Sequence, residues 1–450
     1  MKRDRQPAGP TLDPASPGAE TDRRGLLDRH RAALLPAQTA MLYYGDDPLV
    51  VARAQGSYVW DAEGRAYVDF FGGILTVSVG HANEDVLAAT ERQMRTFGHV
   101  STLYLNEVTV TVAEKLAEIT PGRLSVSFFT ASGTEANETA LMVARAHTGQ
   151  QDVIALRHAY SGRSAGMMGL TAHGNWRIGG VYDTHVKHAR SPGAFRRPDG
   201  MDEEAYLDFL VDDFEDLLAT TTSGRIAAFI AEPIQGVGGF TVLPEAYFRR
   251  ILPSVREAGG LLIIDEVQTG WGRTGGHWCG IEHWGVEPDI MTFAKGIANG
   301  APVGATVMTP EVAESVHGLT LSTYGGNPVS MAQTLATIEY IERHRLWENA
   351  ERQGRRLRDA MDRIGSTHDF VGDVRGMGLM QAFEIVRPGS KTADRERTDA
   401  ILSRAREQGL LIGKGGRFGN VLRIAPMLNV TDEDLALGCE RLEAAVRAAA

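Results

Sequence analysis

Three short segments carry residue types at spacings that can do chemistry together. Thr130-Ala-Ser-Gly-Thr-Glu-Ala-Asn137 follows an apolar run and opens a helical pattern, with Ser132 and Glu135 at capping-box spacing. The unpaired N–H groups of such a helix start, its dipole and the hydroxyls of Ser132 and Thr134 make a cradle for an anion, although plain capping fits the same residues. Leu261-Leu-Ile-Ile-Asp-Glu-Val-Gln268 ends an apolar strand on a carboxylate, which is costly to bury unless it is paired. That pattern reads as the magnesium-binding strand of a P-loop ATPase, as a carboxylate set against a cationic ring nitrogen, or as an Asp capping the next turn. The first reading needs G-x-x-x-x-G-K-[ST], which the chain lacks; Gly413-Lys414-Gly415 is the nearest segment and has the wrong spacing. Ile290-Met-Thr-Phe-Ala-Lys-Gly-Ile-Ala-Asn-Gly300 puts Lys295 just past a strand. A lysine pointing into a partly desolvated site there has a lowered pKa and a free amine able to attack a carbonyl, the bland alternative being a solvated surface lysine.

The distance from Asp265 to Lys295 fits one strand–helix–strand step, which brings both to one edge of a sheet. A phosphate cradle, a strand-end carboxylate and a strand-end amine are what pyridoxal 5'-phosphate requires: an anchor for its phosphate, an amine for its aldehyde, and an anion that keeps its pyridine nitrogen protonated.

Such residues need a scaffold that delivers strand ends to one place. Strand candidates Val126–Phe129, Val153–Leu156, Ile226–Ala231, Leu261–Ile264 and Ile290–Phe293 alternate with helix candidates such as Glu135–His147 and Glu245–Ala258. Short apolar strands alternating with helices predict an α/β fold with a mostly parallel sheet covered on both faces, and ligands at the carboxyl ends of its strands. Residues 56–71 read as a hairpin turning at Asp61-Ala-Glu-Gly64. Residues 171–201 are polar and irregular and read as a long loop or insertion. After Met331 a long helix leads into about a hundred residues of mixed helix and short strand, as in 372–384 and 410–424. The expected division is a mobile N-terminal arm at 1–25, a segment at 26–75 joining a smaller domain, a large cofactor-binding domain at 76–335, and the C-terminal small domain at 336–450. The chain has 450 residues, 43% hydrophobic and 23% charged, with net charge −11 and two cysteines. That excludes a disordered chain, a disulfide scaffold and a global basic footprint for nucleic acid. No run of 18 apolar residues predicts a membrane span, and residues 1–20 lack an apolar secretory core, so the expected location is cytoplasmic.

These segments resemble the class-III aminotransferases, pyridoxal-phosphate enzymes of fold type I. The resemblance is carried by Ser132-Gly-Thr-Glu-Ala-Asn137, Ala231-Glu-Pro-Ile-Gln-Gly-Val-Gly238, Ile264-Asp-Glu-Val-Gln-Thr-Gly-Trp-Gly-Arg-Thr-Gly275, Ala294-Lys-Gly296, Thr323-Tyr-Gly-Gly-Asn-Pro328 and Leu422-Arg-Ile-Ala-Pro-Met-Leu428, in order over 48–440. Gly80-His81, Glu232-Pro-Ile-Gln-Gly-Val-Gly-Gly239 and Gly296-Ile-Ala-Asn-Gly-Ala-Pro302 point within the family to the branch of alanine–glyoxylate aminotransferases and ethanolamine-phosphate phospho-lyases. The resemblance implies a large domain around a mostly parallel seven-stranded sheet, with a smaller α+β domain from the N- and C-terminal segments. It implies Lys295 as the lysine that binds the cofactor and moves the proton, and Asp265 as the partner of the ring nitrogen. It implies Ser132, Gly133 and Thr134 at the phosphate, Tyr160 stacked on the ring, Val267 on the opposite face, and Glu232 and Gln268 near the ring and its phenolic oxygen. Thr323 is implied to complete the neighbouring subunit's phosphate site, hence a homodimer. Arg423 is implied to pair with a substrate carboxylate, which a guanidinium grips in bidentate fashion. The implied reaction moves an amino group from an amino acid or amine to a 2-oxo acid (pyruvate, glyoxylate or 2-oxoglutarate) in two half-reactions with ping-pong kinetics. The alternative is elimination of phosphate from an amino-alcohol phosphate.

Departures from the family pattern matter. Val237 stands where ornithine aminotransferases carry a glutamate over the carboxylate-binding arginine, leaving Arg423 uncovered. Ile74 stands where dialkylglycine decarboxylases carry a glutamine, which lowers the decarboxylase option and, with Gly73, suggests an apolar side to the substrate pocket. Ser161 replaces a frequent His or Trp, and Asn83-Glu84 a His-Pro. Arg163 reads equally as a contact for an acceptor carboxylate and as a structural ion pair. His173, His185 and His188 are placed in the polar loop, and no metal site is expected from them. His277 and His283, flanking Trp278 and Cys279, read as packing residues, and Lys414 as solvated.

Overall fold

The computed structural model describes residues 22–180 and 182–450. Its organising element is a seven-stranded sheet in the order Val126–Thr130, Gly304–Met308, Ile290–Phe293, Leu261–Asp265, Ala228–Ala231, Val153–Leu156, Val186–Ala189. All neighbours are parallel except those of Gly304–Met308, which runs antiparallel to both Ile290–Phe293 and Val126–Thr130. The central strands are buried along their whole length and read as unbroken apolar runs because helices cover both faces. The helix Gly133–Thr148 packs on one face, and Tyr247–Glu257 and Glu203–Thr221 pack against each other and against this sheet. The α/β expectation holds.

Sequence boundaries fall within a few residues. The helix expected over 135–147 runs Gly133–Thr148 and ends on Gly149, whose φ of 67° is left-handed. The helix expected over 245–258 runs Tyr247–Glu257. The hairpin is present as Tyr58–Asp61 antiparallel to Ala66–Asp69. Two expectations need correction. The stretch read as a loop contributes the edge strand Val186–Ala189, in register with Val153–Leu156. An edge strand with one neighbour is half-covered, so Val-Lys-His-Ala tolerates the polar residues that hid it. The arm expected over 1–25 lies mostly outside the described residues, and its last residues belong to the helix Arg23–Ala33, which is capped by the Asp22 side chain.

Two further four-stranded sheets flank this core. Val51–Gln55, Tyr58–Asp61 and Ala66–Asp69 are joined by Leu410–Leu411, parallel to Ala66–Asp69. Val371–Met377, Met380–Ile385, Val421–Ile424 and Gly413–Gly415 form the other, so the span read as 410–424 breaks into three short strands in two sheets. Through Val421–Ile424 this C-terminal sheet places Arg423. No described helix is long and apolar enough to cross a membrane.

Candidate active site

Asp265 ends its strand in register with Thr292 on the next, and Lys295 follows Thr292 by three residues. The geometry turns sharply there. Ala294 is extended, Lys295 has φ 46°, and residues 295–298 form a tight 3-10 turn. A lysine held in left-handed backbone costs free energy that the surroundings must offset. They do so through Asn299, whose side chain receives the N–H of Val79 at 3.0 Å and donates to the carbonyl of Gly80 at 2.9 Å. Gly296 packs so close to Ser78 and Trp271 that any side chain would collide with them.

The ionisable groups meet below this turn. Asp265 is 5% exposed. Its Oδ1 accepts the Val267 N–H at 3.0 Å and its Oδ2 the Asn137 amide at 2.8 Å. Glu232 accepts the N–H of Gly236 at 2.8 Å and of Tyr160 at 3.3 Å. Burial raises the pKa of both carboxylates, and Asp265 raises that of Glu232 further. Lys295 is half-buried; desolvation lowers its pKa while Asp265 and Glu232 hold it up and Arg423 opposes them. Glu266 faces away from this group. Fully buried, it accepts from Thr269 Oγ1 at 2.6 Å and from the N–H groups of Gly280 and Ile281 at 2.9 and 2.7 Å, and burial pushes it up to about 7.

At the helix start, Ser132 caps: its Oγ accepts the Glu135 N–H at 3.3 Å and donates to Glu135 Oε2 at 3.1 Å, and the same carboxylate takes the Ala131 N–H. The N–H groups of Gly133 and Thr134, first in the helix, have no intrahelical carbonyl to bond. A Cβ on Gly133 would lie 3.2 Å from Ala294 Cβ and 3.3 Å from Val267 Cγ2. The helix start, Val267 and the segment bearing Lys295 therefore abut. A Cβ on Gly162 would lie 2.7 Å from Thr134 Oγ1, which puts the Tyr160–Gly162 loop beside the same cradle. The Tyr160 ring meets Trp176 edge-on at 5.3 Å. Gln268 is buried against Gly236, and its Oε1 has no partner.

Arg423 reaches the site from the C-terminal sheet. It donates to the carbonyls of Lys414 at 2.8 Å and Gly236 at 3.4 Å, and its guanidinium lies 4.9 Å from the Phe71 ring centre. Its Nε is buried without a partner, and no described carboxylate forms an ion pair with it. Arg163, Ile74 and Thr323 sit further out. Arg163 is exposed, close enough to lower the Tyr160 pKa against the rise from burial. Ile74 is 45% exposed in a run of left-handed residues from Gly72 to Leu75. Thr323 is exposed in a groove with Thr130, Ala131 and Glu135.

Other sequence readings resolve differently. Lys414 is half-buried and ion-paired with Asp399 instead of solvated. His173 is 4% exposed with Nε2 unpartnered, and His188 lies on the edge strand with Nε2 3.2 Å from the Leu170 carbonyl. The His277 and His283 rings pack at 4.8 Å. Asn137 is the residue whose part went unread. It shares a helix face with Gly133, one turn earlier, and a polar side chain on the face that carries the cradle was the available signal.

The residues fit a phosphorylated cationic ring. Free helix N–H groups, a buried carboxylate with lone pairs to spare, an unpartnered Gln268 oxygen and a desolvated amine lie on adjoining segments, and the protein alone leaves them incompletely satisfied. Fold and site together define a fold-type-I pyridoxal-phosphate enzyme. The family model described as Aminotransferase class-III matches residues 43–446, and the chain belongs to that family. It is 43% identical over 389 residues to an alanine–glyoxylate aminotransferase 2 homolog 2, mitochondrial, of Arabidopsis thaliana, covering 86% of this chain and 80% of that one. The structure of an (S)-enantioselective omega-transaminase from Thermomicrobium roseum superposes with TM-score 0.87 at 33% identity, covering 94% and 98% of the two chains. A phospholyase from Arthrobacter in complex with phosphoethanolamine also gives 0.87, at 32% identity, covering 94% and 99%. The protein is thus a pyridoxal-phosphate-dependent aminotransferase, exchanging nitrogen between an amino donor and a 2-oxo acid.

Proposed function

We propose that this transaminase serves substrates bearing a carboxylate next to the reacting carbon, held by Arg423. One observation carries the reading: a buried guanidinium close enough to Lys295 to affect its charge, with an unpartnered Nε and no carboxylate bridging it. When bound, pyridoxal phosphate supplies the aldehyde that takes up the substrate's nitrogen and the ring that stabilises the electron pair left on carbon. Lys295 Nζ removes a proton from the donor carbon and later returns it; desolvation suits that task by keeping a share of the amine unprotonated. Asp265 holds positive charge on the ring nitrogen. Gly133 and Thr134 bind the phosphate, with Ser132 fixing the helix start. Tyr160 and Val267 sandwich the ring, Glu232 and Gln268 meet its polar edge, Ile74 forms an apolar wall, and Arg163 awaits a second acceptor carboxylate.

The name of the Arabidopsis relative favours alanine as donor and glyoxylate as acceptor, with pyruvate and 2-oxoglutarate as further candidates. The test is a half-reaction screen: cofactor-loaded enzyme is mixed with single amines, conversion to the pyridoxamine form is followed by absorbance, and oxo acids are then tested for reversal. Conversion by carboxylate-free amines as fast as by α-amino acids would overturn the Arg423 reading. The phospholyase neighbour supports a second reading. Phosphate and ammonia released from phosphoethanolamine without an oxo acid would favour it over amino transfer.

The proposal extends to assembly and place. Leu103, Tyr104, Leu105, Leu319, Leu321 and Tyr324 form two exposed apolar runs, the second containing Thr323, and such runs ordinarily seek a partner. This supports a homodimer in which Thr323 reaches the other subunit's phosphate. Sedimentation at monomer mass under assay conditions would remove it. We retain the division at 76–335 and 336–450, with 26–75 joining the smaller part; pairing of Leu410–Leu411 with Ala66–Asp69 supports it. A cytoplasmic location stands against the mitochondrial one in the Arabidopsis relative's name; fractionation of the native host decides.

A further inference from the structure

We propose that Asn137 is a positioning residue for the cofactor: one side-chain amide ties Asp265, the strand leading to Lys295 and the ring-stacking loop into a single frame. The inference rests on the reading of Asp265 as partner of the ring nitrogen. Asn137 Nδ2 donates to Asp265 Oδ2 at 2.8 Å and to the Ser161 carbonyl at 2.9 Å, and its Oδ1 accepts from Thr292 Oγ1 at 2.7 Å. All three partners are buried, as is Asn137 itself. Ser161 follows Tyr160 directly, and Thr292 is the register partner of Asp265 three residues before Lys295.

The amide can stand only one way. Turned over, its oxygen would face a carboxylate oxygen and a carbonyl oxygen, two acceptors with no proton between them. The Thr292 hydroxyl, able to donate or accept, follows the orientation so fixed and donates to Oδ1. Of the side chains that could bridge these groups, aspartate would set a carboxylate against Asp265, and alanine would leave a buried hydroxyl, a carbonyl and a carboxylate short of one bond each. The Asn137 donor also favours the ionised form of Asp265, opposing the rise from burial. Its effect on the cofactor therefore runs through Asp265, whose remaining lone pairs are aimed by where Oδ2 is held.

The experiment measures the dissociation constant of pyridoxamine phosphate, which presents the ring nitrogen without a covalent link to Lys295, in the full chain. The pH titration of the visible absorbance of the pyridoxal-phosphate-loaded enzyme is recorded alongside. Asn137→Ala should weaken pyridoxamine phosphate binding roughly 10- to 100-fold, the range for losing a hydrogen bond to a charged group, and should displace the absorbance titration. In an Asp265→Ala background the same change should add less than about twofold, because the group it acts through is gone. Thr292→Val removes one of the amide's three anchors while Asp265 and Ser161 still fix its orientation, so it should loosen the amide and move both readouts in the same direction by a smaller amount. An Asn137→Ala penalty of equal size with and without Asp265 would make Asn137 a packing residue only. An Asp265→Ala variant that binds pyridoxamine phosphate like wild type would instead overturn the Asp265 reading, and this inference with it. If Asn137→Ala does not fold, Thr292→Val decides: wild-type binding and titration in that variant overturn the proposal.

Discussion

On the floor of the site, Asp265 receives two hydrogen bonds and Asn137 makes three, and behind it Glu266 accepts three, all within one chain. At the rim, Arg163, Ile74 and Thr323 stand exposed, and Arg423 donates to two backbone carbonyls and packs against the Phe71 and Phe240 rings without an ion pair to a described carboxylate. Within the floor, Asn137, Asp265, Thr292 and Ser161 form a finished polar network, in which every group lost leaves a buried neighbour unsatisfied, whereas the Gln268 oxygen beside it is left open. The rim has the side chains proposed above to meet a substrate or a second subunit. The difference teaches where to look for each property. On the proposed reading, the chemistry common to the family resides in the floor and the choice of substrate in the rim.

Removing the floor's amine is the harshest test. Lys295→Ala should abolish the visible cofactor band and lower turnover by roughly 10⁴-fold or more, since both the covalent anchor and the proton carrier go. The fold should survive, because a half-buried lysine in strained backbone contributes little to packing. Wild-type turnover in that variant would erase the distinction between floor and rim. At the rim, Arg423→Ala should raise KM for carboxylate-bearing substrates by roughly 10²- to 10³-fold while leaving a carboxylate-free amine within a few-fold. Equal losses for both would move Arg423 from rim to floor.

Much of the floor was legible in the sequence and less of the rim. A strand that ends in Asp, a helix that opens on Ser-Gly-Thr and a lysine after an apolar strand are local signals, and the sheet brings them together by its parallel order alone. Asn137 escaped because its partners are 128 and 155 residues away, at Asp265 and Thr292, and nothing in its neighbourhood announces them. The antiparallel strand Gly304–Met308 escaped because Gly-Ala-Thr-Val-Met follows a Gly- and Pro-rich turn and opens on two residues that strands disfavour, although the sheet buries it fully. The edge strand Val186–Ala189 escaped for the opposite reason, its polar residues being allowed by a half-covered position. At the rim, exposure is visible in the structure, but the partner proposed for Thr323 lies in a second copy and leaves no local mark in the sequence.

Behind the floor, Glu266 carries a pH signature of its own. Burial raises Glu266 from 4.5 to about 7. Between those values the folded chain holds a proton that the unfolded chain has released, so stability falls as pH rises through that window and levels off above it. The loss attributable to Glu266 is about 3 kcal/mol. Denaturant unfolding of the cofactor-free protein at pH 5 and pH 8 should show it as a larger drop in wild type than in Glu266→Gln, which cannot titrate. A Glu266→Gln profile parallel to wild type would mean that the three donors around Glu266 hold it ionised throughout.

The smallest effect tests whether the rim is completed from outside. Thr323→Val keeps the shape of the side chain and removes one hydroxyl, so only a hydrogen bond to the phosphate is at stake. Such a bond contributes about 1 kcal/mol, which makes the expected loss of pyridoxal phosphate affinity roughly fivefold. If Thr323 serves the neighbouring subunit, the loss should appear only in the dimer. A monomerising change in the exposed run, such as Leu105→Asp at a residue 96% exposed in the single chain, should weaken cofactor binding in a wild-type Thr323 background. Adding Thr323→Val to that monomer should then cost nothing more. A fivefold loss that persists in the monomer would place the hydroxyl in its own chain's cradle, and Thr323 would pass from the unfinished rim to the finished floor.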